Sequence, residues 1–175
     1  MTYAMSGDII QVGYLVEDVD ASVQEWIDHF GVGPWLRFED LPLVGTFDGE
    51  PAEVRIKVAF SYRGELQVEL IELLSPDVPS QYLREDGTPF IGAHHVAWLT
   101  DDLDADIAAA EERGLRARFV GGAGTMRVAY LDSPDQPGTW FELIESSMRP
   151  MLDEGIATSR AWDGTDPVRT VQPAG

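Results

Sequence analysis

The chain has 175 residues, 31 of them acidic and 12 of them Lys or Arg, with a formal net charge of -19. Such a surface repels nucleic-acid phosphates and anionic lipids, and no apolar stretch approaches the roughly 20 residues that cross a bilayer, so we expect neither nucleic acid nor membrane as a partner. The absence of cysteine excludes disulfides, thiolate metal sites and cysteine nucleophiles. With no basic and apolar leader at its start, the chain is expected to be cytoplasmic.

The first half of the chain carries the pattern of a strand, a helix and three further strands. Apolar residues at helical spacing end at Gly31, and an alternating segment meets an apolar run across the Arg63-Gly64 turn, which is typical of a hairpin. Gly and Pro in residues 40–51 indicate a mobile loop. The predicted elements are a strand over 8–17, a helix over 21–30, and strands over 35–38, 54–62 and 66–74.

The second half repeats this order of elements. The run Gly121–Gly124 is expected to form a flexible turn or lid, because no Lys-Ser/Thr pair follows it as a phosphate-binding loop requires. The predicted elements are a strand over 93–100, a helix over 103–113, and strands over 117–120, 126–132 and 139–145.

Two βαβββ modules therefore account for most of the chain, which predicts an α+β fold. One such sheet has an uncovered face, so two copies are expected to share a curved sheet with the helices outside and a cleft within. The predicted boundaries are 1–78 for the first module, 79–92 for a connector with a helical patch over 80–84, 93–146 for the second module, and 147–175 for a tail that lies on the body or on a partner subunit.

An internal repeat supports this division. The segment that begins Gln11-Val12-Gly13-Tyr14 aligns with the segment that begins His95-Val96-Ala97-Trp98, and both continue into an Asp followed by an apolar residue. Near the end of each module, Val68-Glu69-Leu70-Ile71-Glu72 matches Phe141-Glu142-Leu143-Ile144-Glu145. Duplication of this kind predicts that equivalent residues of the two modules occupy related places in the fold.

The repeat singles out four polar residues in apolar strands. Glu69 and Glu142 are costly in a core unless they are paired or bind a metal, so a role in the cleft is favoured. His95 is either a ligand or an ordinary core histidine, and Gln11 is either a ligand or a structural or substrate-binding amide. Strand alternation is expected to turn His94 away from His95. The aromatic residues expected either to bind substrate or to fill the core are Trp35, Phe60, Tyr62, Trp98 and Tyr130.

These segments resemble the vicinal oxygen chelate superfamily, which includes glyoxalase I, methylmalonyl-CoA epimerase, extradiol dioxygenases and bleomycin-resistance proteins. The double histidine followed by an apolar strand and Asp-Asp-Leu is the most specific feature, and the resemblance spans about residues 9–145, with its closest likeness to the glyoxalase and epimerase branch. It implies paired βαβββ modules that form a cupped, eight-stranded mixed sheet around one divalent metal ion. It also implies a small-molecule substrate and a homodimer.

The resemblance implies that the metal ligands are Gln11, Glu69, His95 and Glu142, with Glu69 or Glu142 also acting as the catalytic base. The epimerase pattern has a histidine where this chain has Gln11, which weakens the site for transition metals without abolishing it. One imidazole, two carboxylates and an amide favour Mn²⁺, Mg²⁺ or Fe²⁺ over Zn²⁺, with Co²⁺ a further candidate.

Three functions follow from these features. The first is a metal-dependent isomerase, epimerase or lyase that works through a metal-stabilised enolate on a small or medium carbonyl compound. The second is a metal-free protein that binds small molecules, as resistance proteins do, which the missing histidine and the many aromatic residues favour. The third is an extradiol-type dioxygenase, which ranks lower because such enzymes prefer two histidines at iron and only His95 takes such a position.

Overall fold

The computed structural model describes Tyr3 and residues 5–171. Within these residues, none of the helices combines the length and the apolar character that crossing a bilayer requires. A short 3-10 turn, Ser146–Met148, leads into the last helix. The elements in chain order are β1 (Gln11–Leu15), α1 (Val19–Phe30), β2 (Trp35–Phe47), β3 (Glu50–Arg63), β4 (Leu66–Leu73), β5 (Gly92–Thr100), α2 (Leu103–Glu111), β6 (Arg116–Ala123), β7 (Met126–Asp132), β8 (Trp140–Glu145), α3 (Arg149–Arg160) and β9 (Val168–Val171).

Strands β1 to β8 form one mixed sheet that closes on itself through the pairing of β2 with β3, and the helices lie outside it. The α+β fold and the curved eight-stranded sheet predicted from the repeat are confirmed. At the centre, β1 pairs antiparallel with β5, and each of them pairs parallel with the last strand of its own module, β4 or β8. The equivalent strands of the two repeats therefore lie side by side.

Alternation along the strands separates the interior of the sheet from its outer face. On β3, Ile56 and Val58 point inward to the largest buried cluster, whereas Ala59 points outward to α1 and packs with Val23. A third cluster holds α2 against β7 and β8. Each helix thus covers an outer face of the sheet, and the interior remains available for a cavity.

Side-chain caps set the start of α1. The Asp18 carboxylate accepts the backbone N–H of Ala21 at 2.9 Å, and Glu72 of β4 accepts the N–H of Val19 at 3.0 Å. Gly31 ends the helix in the left-handed conformation, with a φ of 60°. Glu72 therefore lies on the outer face of β4, three residues from Glu69 and on the opposite side of the strand.

The prediction of a mobile loop over residues 40–51 was wrong. Strand β2 runs to Phe47 and pairs with both β3 and β6. Gly45 allows β2 to approach β6 closely, because a Cβ at this residue would lie 2.2 Å from the carbonyl oxygen of Val120. The Cα of Gly121 lies 2.5 Å from the same point. Of the turn predicted over Gly121–Gly124, the first three residues belong to β6, and the turn itself is confined to Gly124 and Thr125.

The connector between the modules also differs from the prediction. Residues 80–84 form turns and an isolated bridge between Leu83 and Pro89 instead of a helical patch. Tyr82 is fully buried, and its carbonyl accepts the N–H of Phe90 at 2.9 Å. Contacts with the interior, and not helical periodicity, set the path of this segment.

The tail packs on the body of the protein. Helix α3 lies against β3, where the Ser159 hydroxyl is within hydrogen-bond distance of the carbonyl oxygens of Gly33 (3.0 Å) and Tyr62 (3.1 Å). Strand β9 then extends the sheet by pairing parallel with β2. Residues 172–175 of the predicted tail lie outside the described residues.

The contact between Gly45 and Gly121 lets β2 approach β6 in the closed sheet, so we expect Gly45→Ala to lower the free energy of unfolding by about 1–3 kcal/mol through overpacking. Urea denaturation monitored by circular dichroism measures this change. Gly7→Ala is the control, because a Cβ there meets nothing within 4 Å. Equal stability of the two variants would contradict this account of the closure.

Candidate metal centre and cavity

Four side chains predicted as ligands meet at one point inside the sheet. The Nε2 atom of His95 lies 2.9 Å from Oε1 of Gln11, 3.1 Å from Oε2 of Glu69 and 3.1 Å from Oε2 of Glu142. All four residues are buried, the most exposed at 6%. They come from the four central strands β1, β4, β5 and β8, so the pairing of the two repeats creates the cluster.

A β-bulge corrects the expected orientation of His94. Gly13 of β1 pairs with His95 and Tyr14 pairs with Ala93, so His94 is the extra residue on β5. Both histidines therefore face the interior, and Nδ1 of His94 lies 2.9 Å from Nδ1 of His95.

Gly13 makes room for the imidazole ring of His95. A Cβ at residue 13 would lie 2.0 Å from Cε1 of that ring, closer than any side chain allows. In the aligned position of the second module stands Ala97, which belongs to the interior cluster. A glycine on β1 is thus a condition for the position of His95.

A chain of hydrogen bonds orients the two histidines. Because the Gln81 carbonyl can only accept, Nε2–H of His94 donates to it at 2.9 Å, which leaves Nδ1 of His94 to accept from Nδ1–H of His95. Burial, reinforced by the charge of His95, lowers the pKa of His94 to about 3, so His94 is neutral. His95 therefore presents Nε2 to the oxygens of the cluster.

The charges of the cluster compensate one another. Burial by itself lowers the pKa of His95, but Glu142 and Glu69 outweigh it and raise that pKa to about 9. Burial raises the pKa of Glu69, against the opposing effect of its contact with His95. Tyr82 and Tyr130 border the carboxylates, and burial raises the pKa of both phenols well above the usual value, so they stay neutral.

Gln67 is a site residue that sequence reasoning missed. Its Oε1 accepts from Nε2 of Gln11 at 2.6 Å, and its own Nε2 donates to the Tyr62 hydroxyl at 2.7 Å. These bonds turn Oε1 of Gln11 toward the cluster. A signal was present, because Gln67 precedes Glu69 by two residues and so shares the inward face of β4.

The donor set fits a divalent cation. The single Nε2–H of His95 is directed at Gln11, and the Oε2 atoms of Glu69 and Glu142 are left without a hydrogen-bond donor although they are buried. Metal–ligand bonds of about 2.1 Å place adjacent ligands of an octahedron about 3.0 Å apart, which matches the spacing here. The three ionisable residues also offer ligand atoms within 4.8 Å of one another.

A cavity of about 280 Å³ opens above the cluster. Phe60 and Tyr130 line it, as predicted for substrate contacts. Trp35 and Tyr62 instead line a second pocket of about 200 Å³ under α3, which shares Phe60, Gln67 and Met151 with the cavity. Trp98 does not line the cavity: Ala97 takes the inward position, and strand alternation places Trp98 in the outer cluster beside α2.

Comparisons with known proteins agree with the fold. The sequence model of the Glyoxalase/Bleomycin resistance protein/Dioxygenase superfamily matches residues 10–130. Two proteins of Bacillus subtilis (strain 168), both named as uncharacterized, are similar in sequence. YwbC is 26% identical over 152 residues, which are 81% of this chain and 99% of that protein. YqjC is 31% identical over 97 residues, which are 53% of this chain and 67% of that protein.

Two solved structures share the fold. The hypothetical protein BH1468 from Bacillus halodurans C-125 has a TM-score of 0.55 and 22% sequence identity, and the match covers 81% of this chain and 95% of that one. The methylmalonyl-CoA epimerase from Mycobacterium tuberculosis has a TM-score of 0.52 and 22% identity, over 83% of this chain and 91% of that one.

Because the ring of His95 occupies the space beside Gly13, we expect Gly13→Ala to displace that ring and to weaken Mn²⁺ binding by at least about tenfold, the lower range for disturbed ligand support. Isothermal titration calorimetry measures the affinity, and Gly7→Ala is again the control. A Gly13→Ala protein that is folded and binds Mn²⁺ like the unmodified chain would show that His95 does not need this space.

Proposed function

The chain belongs to the Glyoxalase/Bleomycin resistance protein/Dioxygenase superfamily, and from this premise we propose that it is a metal-dependent isomerase, epimerase or lyase that acts through an enolate on a small or medium carbonyl compound. The observation that carries the proposal is the meeting of four groups at the floor of a cavity. Two buried carboxylates and an amide oxygen lie about 3 Å from Nε2 of the His95 imidazole.

Gln11, Glu69, His95 and Glu142 would hold the metal ion. When bound, a divalent ion supplies a Lewis acid that accepts two neighbouring substrate oxygens and favours the negative charge that develops on them. With one imidazole against three oxygen donors, Mn²⁺, Mg²⁺ or Fe²⁺ suits the site better than Zn²⁺, and Co²⁺ is intermediate.

The carboxylates have a second task, which is to move a proton at the α-carbon of the substrate. Glu69 and Glu142 both line the cavity, so either carboxylate can reach a substrate that lies above the cluster. Tyr82 and Tyr130 also face the cavity, and their hydroxyl oxygens lie 3.4 Å apart. As neutral phenols, they can donate hydrogen bonds to a substrate oxygen without adding charge.

One observation favours a metal-free binding protein as the second candidate. Because Glu69 and Glu142 raise the pKa of His95 to about 9, an imidazolium offsets part of their charge without any metal. The apolar wall of the cavity would then hold a small ligand by shape and burial. Ring cleavage of the extradiol type ranks below both, because the cluster contains one histidine ligand and not two. A homodimer remains a prediction for light scattering to test.

Metal binding is expected to release protons. His95 carries a proton at pH 7 because its pKa is about 9, and a ligand imidazole must be neutral, so binding of Mn²⁺ at pH 7 should release about one proton and fewer as the pH rises past 9. Calorimetry in two buffers of different ionisation enthalpy measures the number.

Single substitutions test whether Glu142 binds the metal ion. Glu142→Gln is expected to weaken Mn²⁺ binding by at least about 100-fold, because it removes a ligand and not only its support. Glu145→Gln is the matched control, since this residue lies three positions on and pairs with Arg127 on the outer face of β8. Failure of Mn²⁺, Co²⁺ and Zn²⁺ to bind the unmodified chain would exclude the metal-dependent function.

Proton transfer predicts deuterium exchange at the α-carbon of neutral ketones in D₂O. At a Mn²⁺ concentration that calorimetry shows to saturate both Glu69→Gln and Glu142→Gln, the variant that lacks the base should lose exchange by about 10²–10⁴-fold. Proton NMR of a panel of ketones measures the exchange, and calorimetry on Glu69→Gln and Glu142→Gln separates the base from the ligand. Exchange that is equal in both variants and the unmodified protein would contradict the role of the carboxylates.

A further inference from the structure

Among the residues that the structure describes, no cationic side chain lines the cavity above the cluster, and Arg169 lines only the adjoining pocket under α3. Among the same residues, the cavity lining comprises the polar floor, one threonine and otherwise only aliphatic, aromatic and methionine side chains. The ionisable groups are confined to the floor: they are Glu69, Glu142, Tyr82 and Tyr130. An anionic substrate group would therefore find no ion-pair partner along the wall.

The cations that adjoin a lining residue on the wall strands point the other way, and Arg149, which follows Met148 on α3, borders a different pocket. Arg37, Arg55, Lys57 and Arg127 lie on β2, β3 or β7, and strand alternation directs them to the outer face, where Arg55 pairs with Asp40 and Glu53. There they already hold carboxylates. The ion-pair partners are Asp20 and Glu39 for Arg37 and Lys57, and Asp104 and Glu145 for Arg127.

The charge of the cavity floor also disfavours an anionic ligand. With a divalent cation, two carboxylates and two neutral donors, the cluster is neutral, and a substrate carboxylate would add an uncompensated buried charge. Without metal, the one imidazole of the floor lies 3.1 Å from a carboxyl oxygen of both Glu69 and Glu142, so no positive charge is left for an anion. An uncharged ligand is favoured in both states.

Helix α3 limits the size of the ligand. Met148, Met151 and Leu152 form part of the cavity wall, and all three lie beyond the segment that matches the family, residues 10–130. Gly155 fixes the helix closely, because a Cβ there would lie 2.2 Å from the ring of Tyr62. The volume of about 280 Å³ lies at the lower end of small-molecule pockets, which span about 300–1,000 Å³.

We propose that this cavity takes a small uncharged compound with an apolar tail and two neighbouring oxygens, such as a hydroxyketone or a diketone, and not a carboxylate or a coenzyme A thioester. The pair of oxygens rests on the proposed function, because the two oxygens would meet the metal. The preference for an uncharged molecule rests on the wall of the cavity and the charge of its floor.

A matched pair of ligands tests the preference. 1-Hydroxyhexan-2-one and 2-oxohexanoate share the same four-carbon tail and ketone, and they differ in a hydroxymethyl group against a carboxylate. We expect calorimetry to give at least about tenfold tighter binding of the neutral compound, in Mn²⁺-loaded and in EDTA-treated protein alike. Equal or tighter binding of 2-oxohexanoate, or no binding of the neutral compound at millimolar concentration, overturns the proposal.

A cation placed in the wall should reverse the preference. Met151→Lys puts an ammonium group at the mouth of the cavity, where Met151 is 37% exposed and a charged side chain can be accommodated. We expect this variant to bind 2-oxohexanoate about tenfold more tightly than the unmodified chain. Ala157→Lys adds the same charge on α3 outside the cavity lining and should leave both affinities unchanged. A folded Met151→Lys protein without this gain overturns the electrostatic basis.

The two proposals fail separately. If the protein prefers 1-hydroxyhexan-2-one but binds no Mn²⁺, the proposed substrate class stands and the metal-dependent function is excluded. If it binds Mn²⁺ and exchanges α-protons but prefers 2-oxohexanoate, the proposed function stands and the substrate class is excluded.

Discussion

The burial of two carboxylates inside an apolar sheet is the constraint on which the rest of the structure depends. Glu69 and Glu142 are almost without solvent contact, and buried charges of like sign destabilise a fold unless a counter-charge and hydrogen bonds compensate them. His95 supplies the compensation, and its position depends in turn on a bulge in β5, on a glycine in β1 and on the neutral ring of His94. The bulge, the glycine and the neutral ring are therefore all needed to place His95 beside the two carboxylates.

The repeat explains how the compensation arises. Each module contributes its first and last strand to the centre of the sheet, so one duplicated pattern places an amide, an imidazole and two acids around one point. The modules then differ where function requires it. The amide of Gln11 stands opposite the imidazole of His95, and the amide is oriented by Gln67 whereas the imidazole is oriented by His94.

The parts outside the repeat decide what can reach the cluster. Three of the four central strands, β1, β4 and β5, lie within the segment that matches the family, whereas β8 and the helix α3 that walls the cavity follow it. Cations on the wall strands face outward and hold the acids there, including Asp20 at the start of α1. The same strand alternation that stabilises the outer surface of this acidic chain therefore leaves the described lining of the cavity without Lys or Arg.

The amino-acid sequence by itself determined the order of the elements, the duplication and the four converging residues Gln11, Glu69, His95 and Glu142, because periodicity and internal similarity are local properties that can be read directly. Only the tertiary structure decided the features that depend on a partner distant in the chain. Residues 40–51 form a strand because β3 and β6 pair with them, and Gly45 is needed there for the approach of Gly121. His94 turns inward because β1 imposes the bulge, and Trp98 turns outward because strict alternation resumes after it. Hydrogen bonds and steric contacts between strands far apart in sequence carry no signal in either strand alone, and for that reason they appeared only when the chain was folded.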